Sequence, residues 1–251
     1  MNTATCSNCS QPLTGPFCSQ CGLRQPSGRL TMVGLLRDLA ARIVDIESGF
    51  VRTLVGVALR PQATIQGWLD GRRKHFMHPF ALLLICATAS VMAIQILGDS
   101  FWNEFRTTMA TFSKIDDAEA KARFASFYES AYMLMPYWML VFCLPIAVSL
   151  RLMFPRRGKS VAEFWAVSLY AISLGIALDI PLTLILAWSK ITIADQMLAT
   201  NVLLMGTQII VQGRFMSGGW TAWLRVLLAS LLGYPLAGVL QQTIAYSYAY
   251  A

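Results

Sequence analysis

The sequence predicts an all-α polytopic membrane protein of about five transmembrane helices with a small four-cysteine module at its N-terminus. Three observations carry this. Hydrophobic residues make up 56% of the 251 positions and charged residues only 13%, where a soluble domain carries roughly 25% charge. The apolar residues gather into runs long enough to cross a bilayer, without the period-two alternation of barrel strands. Four of the six cysteines stand in the first 21 residues, in two Cys-x2-Cys pairs. A soluble chain of this length has no room to hide so much apolar surface. The composition therefore argues against a water-soluble enzyme, a secreted disulfide scaffold and a disordered chain.

Residues 1–29 read as a compact polar module, closed by a Pro26-Ser27-Gly28 linker. Cys6, Cys9, Cys18 and Cys21 follow the pattern Cys-x2-Cys-x8-Cys-x2-Cys. Each pair makes a tight knuckle, and two knuckles bring four thiolates within tetrahedral reach of one ion. That chemistry suits structural Zn2+, with no position left open for water. A module this small has no hydrophobic core, so metal supplies its folding energy. Gly15 and Gly22 are expected to ease the turns. Iron in the same ligand set, disulfides and a metal-free remnant stay open as alternatives. Arg24 and Arg29 are the only cations nearby, which gives nucleic acid poor support. Residues 1–28 have neither a positive n-region nor an apolar run, so the module is expected in the cytosol, where thiols stay reduced.

Residues 30–78 read as amphipathic helices at the cytosolic face or the interface. Val33, Leu36, Leu39, Ile43, Ile46, Phe50, Leu54 and Val57 recur at helical spacing. The stripe suits either the membrane interface or packing on neighbouring helices. Pro61 is expected to break or restart the helix, with a short helix at 65–69 and Trp68 near the headgroups.

Residues 79–251 form the expected bundle, with spans near 79–97, 132–153, 164–188, 196–213 and 223–247 and an outside loop at 98–131. A span needs about 20 residues at 1.5 Å each. The fourth run is marginal and stays open as short, tilted or re-entrant. In the loop, Phe101, Phe105, Met109 and Phe112, then Ala118, Ala122, Phe124 and Phe127, suggest two small helices on the outer face.

Loop charge sets the orientation. Arg72, Arg73 and Lys74 precede the first span; Arg151, Arg156, Arg157 and Lys159 follow the second; Arg214 follows the fourth. With five spans all three groups fall on one side, and the acidic 101–130 stretch falls on the other. The positive-inside rule then gives an inner-membrane protein with its N-terminus cytosolic and its C-terminus outside. The net charge of +7 is accounted for by membrane lipids and topology.

Two further groups could carry chemistry. Asp179 stands in an apolar run two residues before Pro181. A carboxylate there faces either a cavity, for a proton, a cation or a substrate head, or a bracing contact within the bundle. Arg72, Arg73, Lys74, His75 and His78 form a candidate headgroup site. On a helix His75 and His78 would share one face and could hold a metal or move a proton; topogenic charge with incidental histidines is the alternative. Gln95, Gln208, Gln212, Gln241 and Gln242 stand toward span ends, and Thr183, Thr207 and Ser173 are expected to bond helix carbonyls. Ala171-x3-Gly175 reads as a packing contact, and Cys86 and Cys143 as buried thiols. No nucleotide loop, dinucleotide fingerprint or His-Glu-x2-His motif is present, so no reactive constellation supports an enzyme.

The ordered motifs resemble a bacterial membrane family of unknown function, DUF3667. Its opening is matched by Cys6-x-Asn8-Cys9, Gly15-Pro16-Phe17-Cys18 and Cys21-Gly22. Later segments are matched by Leu35-Leu36-Arg37-Asp38, by Gly49-Phe50, Thr53 and Arg60-Pro61, and by Gly71-Arg72-Arg73-Lys74 with Pro79-Phe80. The resemblance covers residues 6 to about 85. Ser10, where such knuckles often carry Gly, and Leu23, where Gln is common, depart from it. The resemblance implies fold and location and assigns no reaction. Two functions follow as expectations: a binding, assembly or accessory role with a protein partner at the zinc module, and a small transporter or lipid-handling role through Asp179.

Overall fold

Proline and glycine divide the first helical stretch. Helix α1 (Phe50–Leu59) follows Gly49, and α2 (Pro61–Leu69) restarts with Pro61 at its first position. There the missing N–H is one that no helix would bond anyway. The two helices cross closely at Gly56, where an added Cβ would meet Thr64 Oγ1 at 2.6 Å. This computed structural model describes residues 5, 6, 8–13, 15–22, 32, 49–189 and 191–250. The expected 26–28 linker, the helical stripe from Val33 to Ile46, Arg24, Arg29, the Leu35–Asp38 motif and Lys190 lie outside the described residues.

The remaining helices are α3 (Pro79–Gln95), α4 (Gly98–Phe112), α5 (Ala118–Met133), α6 (Met135–Met153), α7 (Val161–Ala187), α8 (Ile193–Met216) and α9 (Trp220–Ala249). Several begin at a cap that the sequence supplies. His78 accepts from the Phe80 amide before Pro79. Asp117 accepts from Ala120 at 2.7 Å. Ser160 and Glu163 form a reciprocal capping box on α7, and Thr192 accepts from Asp195 on α8. Each satisfies a donor that the first helical turn leaves unpaired.

Helix α7 is the axis of the bundle. It packs on α3, α6 and α8 and is buried without interruption from Phe164 to Ile176. A helix apolar on every side belongs in the centre. Helices α6 and α9 pack together, and α9 also touches α8 and α5. Helix α3 bends by 104° into α4, and α5 bends by 87° into α6. The two amphipathic helices therefore lie across one end of the bundle, pinned to each other by an Arg106–Glu129 ion pair of 3.1 Å.

By length and composition α7 and α9 each suffice to cross a membrane, and the two bent pairs raise the number to four. The five expected spans are thus met in part. The fourth run is one unbroken helix of 24 residues, too polar to qualify.

The outer surface shows why the protein is embedded in a membrane. On α9 the buried positions are Ala222, Val226, Ala229, Ser230, Gly233, Ala237, Ala245 and Ala249. Its exposed face carries Leu224, Leu228, Leu231, Leu232, Leu236 and Leu240. Helix α8 is likewise turned inside out. Gln196, Gln208 and Gln212 are buried while Leu198, Val202 and Ile210 are exposed. In water this arrangement would forfeit the hydrophobic effect; in lipid it leaves apolar faces to the chains and small or polar residues to helix contacts.

At the other end, loops and cations gather. Arg157 donates to Met216 O at 2.7 Å, Lys159 to Gln66 Oε1 at 2.9 Å, and Arg214 to Ala58 O at 3.4 Å. The basic groups before α3, between α6 and α7 and in the last turn of α8 therefore share one end with α1 and α2. Trp68 is a correction. It is not at the headgroups but 1% exposed, edge-on to His78 and Tyr170. The α2 pattern buries Thr64, Ile65, Gly67 and Trp68 together, which orients the indole inward.

Candidate functional site

The four cysteines meet as the spacing predicts. Their Sγ atoms all lie within 4.8 Å of one another. Cys6 and Cys21 are 3.6 Å apart, Cys9 and Cys18 3.4 Å. A tetrahedral ion with bonds of about 2.3 Å separates its sulfurs by roughly 3.8 Å, so the set is dimensioned to coordinate a metal. The knuckles repeat each other. Ser10 N bonds Cys6 O at 2.9 Å, and Gly22 N bonds Cys18 O at 2.7 Å. Ser10 and Gly22 both take the left-handed conformation, at φ 61° and 65°. Gly15 does not take that conformation, but it stands in the bend at 15–16 that leads into the second knuckle.

Thiol electrostatics favour a ligand role. Burial raises the Cys6 thiol, but the amides of Cys9 and Asn8 and the thiols of Cys21 and Cys9 outweigh it and bring Cys6 down to about 6. The Cys21 amide leads the groups that lower Cys18. At Cys9 the Gln11 amide lowers the thiol, but burial and the other three sulfurs outweigh it and push it up to about 12. Metal binding by such a set requires thiolates and releases the protons they would otherwise carry.

Between the head and α3 lies the basic loop. Lys74 donates from Nζ to Cys21 O, which ties the second knuckle to the bundle. Arg73 lies 5.3 Å over the Trp68 ring, and Arg72 is exposed against Gly67. Residues 70–78 are turns, not helix. His75 is exposed while His78 is 4% exposed beneath Trp68. The helical geometry that would put both imidazoles on one face is absent. Pro79 is the reason, since it disfavours a helical conformation at the residue before it.

Asp179 is 3% exposed. Its carboxylate accepts from Thr200 of α8 at 2.8 Å and from Thr183 at 3.3 Å. Thr183 therefore serves the carboxylate, whereas Ser173 and Thr207 bond the helix carbonyls as expected. A cavity of about 250 Å³ opens beside it, walled by Phe101, Phe105, Tyr132 and Trp138 and shared by Gln196. Helices α4 and α5 roof it, and α4 is tied to the start of α8 by Glu104 accepting from the Ile193 amide at 3.2 Å. Gln196 gives its amide to Ile191 O at 3.1 Å, and its buried Oε1 accepts nothing among the described residues. Thr200, Gln196 and Tyr132 were not singled out from sequence. The available signal was the i, i+4 stripe Gln196, Thr200, Leu204, Gln208, Gln212.

Gln208 is a further correction: it is fully buried in the body of α8 and not near its end, whereas Gln212, also fully buried, stands toward the end of the helix as expected. Gln208 donates to Ser168 O at 3.2 Å, and Gln212 to Gln208 at 2.5 Å. A second cavity of about 210 Å³ adjoins, lined by Cys143, Gln208 and Tyr234. Cys86 and Cys143 are buried, as expected.

Comparison with protein families agrees with the motif reading. The profile described as "Protein of unknown function (DUF3667)" matches residues 47–91. This chain is therefore similar to that family over α1, α2, the basic loop and most of α3. The matched motif residues have definite work there. Thr53 Oγ1 accepts from the Met77 amide at 2.8 Å, Pro61 and Pro79 start helices, and Phe80 packs edge-on to Trp165 at 4.9 Å. Together they fold a collar made of α1, α2 and the basic loop onto α7. The matched segment contains none of Cys6, Cys9, Cys18 and Cys21, nor Asp179. Comparison with curated proteins and with solved structures gave no match.

Proposed function

We propose that the chain is a multi-pass protein of the bacterial inner membrane with a binding, assembly or accessory role. Its four thiolates hold a structural Zn2+, and the head thus folded meets a protein partner in the cytosol. The observation that carries this is the Lys74–Cys21 contact. A metal-stapled head fixed to the collar can pass a partner's pull to the bundle. All four cysteines are spent on the ion, so the metal shapes the head and performs no reaction. Five crossings with an outward C-terminus fit the clustering of basic loops at one end, and the lipid-ready face of α8 supports its being the fourth.

The test is copurification from membranes with the native chain and with Cys18→Ser. A partner retained by the native chain and lost with the zinc supports the role. A zinc-free native protein, or a partner indifferent to Cys18→Ser, refutes it. The cavity beside Asp179 favours a second reading, a small transporter or lipid-handling protein that takes its ligand there.

A further inference from the structure

The cavity at Asp179 offers acceptors without a counter-charge. The carboxylate receives two hydroxyl protons. Gln196, 8% exposed, adds an Oε1 with no donor among the described residues. No Lys, Arg or His among the described residues lines the space. Phe101, Phe105, Tyr128, Tyr132, Trp138 and Phe142 make the walls. A buried carboxylate in apolar surroundings calls for a positive partner. Aromatic faces carry a negative quadrupole and attract the same partner.

The kind of cation follows from what is lacking. A hard metal ion takes six or more oxygen ligands, or keeps its waters. The lining offers one carboxylate and otherwise only neutral amide and hydroxyl oxygens (Gln196, Asn201, Gln241, Thr183, Thr200) among six aromatic rings, a single negative charge that suits one positive charge better than a divalent ion. An organic ammonium needs only one or two acceptors, and its carbon skeleton suits the rings. The 250 Å³ of space equals about eight water volumes of roughly 30 Å³, enough for a small skeleton.

We propose that this cavity binds a small hydrophobic organic ammonium ion. Its N–H groups bond the Asp179 carboxylate and Gln196 Oε1, and its apolar part lies against Phe105, Tyr132 and Trp138. The inference rests on the second reading above, that the cavity is a ligand site, and names the ligand's class.

The probe is 2-phenylethylammonium, titrated calorimetrically into the full chain in lipid nanodiscs, with neutral 2-phenylethanol as comparator and empty nanodiscs as blank. The expected result is saturable binding at least tenfold tighter for the ammonium than for the alcohol. Asp179→Asn should weaken it tenfold or more, and Gln196→Met severalfold, with helix content unchanged. Equal affinity for the alcohol overturns the inference and leaves the ligand site standing. Heat no greater than with empty nanodiscs, for both probes, overturns both. Should Asp179→Asn fail to fold, the comparison of the two probes on the native chain decides alone.

Discussion

Ser10 and Gly22 hold the same place in the two knuckles, yet only one is suited to it. A left-handed residue with a Cβ is strained by about 1 kcal/mol. Ser10→Gly should relieve this and tighten zinc roughly fivefold, since 1.4 kcal/mol is tenfold, as read by competition with a chromophoric chelator. Cys18→Ser should abolish stoichiometric zinc and unfold residues 5–22, with the helical circular dichroism of the bundle unchanged, because among the described residues the head has no apolar core beyond Leu13 and the cysteines themselves. At Asp179 the two threonines are unequal. Thr200 sits at 2.8 Å, within the ordinary hydroxyl range, and Thr183 at 3.3 Å, outside it. Thr200→Val should therefore cost about 1–3 kcal/mol and Thr183→Val clearly less, read as unfolding midpoints in one detergent. The lone acid was legible in the sequence because a carboxylate in an apolar run is conspicuous. Thr200 was not, because its contact spans 21 positions and a threonine in a helix is unremarkable alone.

At the scale of elements, contact geometry decides what each helix tolerates. Helix α9 meets α6 at Gly233, where an added Cβ would lie 2.8 Å from Ile146 Cα. Backbone cannot move aside as a side-chain tip can. Gly233→Val should push the helices apart and destabilise the bundle by about 1–3 kcal/mol, while Gly238→Val, where a Cβ meets nothing within 4 Å, should be close to neutral. Thermal unfolding of the pair in detergent checks the contrast. Long uncharged runs such as that of α7 were readable because lipid demands them. The inner half of the molecule was less so. Trp68 was misjudged, and the helix that would pair the two histidines is not formed, because their surroundings are set by tertiary folding of the 70–78 turns, to which local spacing is blind. Helix α8 looked marginal because overall apolarity averages its polar inner stripe with its apolar outer face.

At the scale of the molecule, the two ends differ in charge and in build. One end gathers Lys74, Arg157, Lys159, Arg214 and the thiolate head; the other is roofed by α4 and α5 with their paired Arg106 and Glu129. Cations cross a bilayer reluctantly, so the basic end should face the cytosol. With α3, α6, α7, α8 and α9 each crossing, the count is odd and the termini must part. If α8 instead stayed on one face, the count would be even and Ala251 would return to the side of the head. A periplasm-dependent phosphatase fused after Ala251 should therefore be active in intact cells, and the same reporter after Met216 silent. The reverse pattern, activity after Met216 and silence after Ala251, is that of an α8 that stays on one face, and it would break the five crossings. The polar stripe of α8 makes this the informative junction. At membrane depth the side-chain N–H groups of Gln208 and Gln212 would be held by Ser168 and by Gln208 Oε1, while Gln212 Oε1 has no donor among the described residues. A crossing α8 is thus a property of the assembled bundle and not of its own composition.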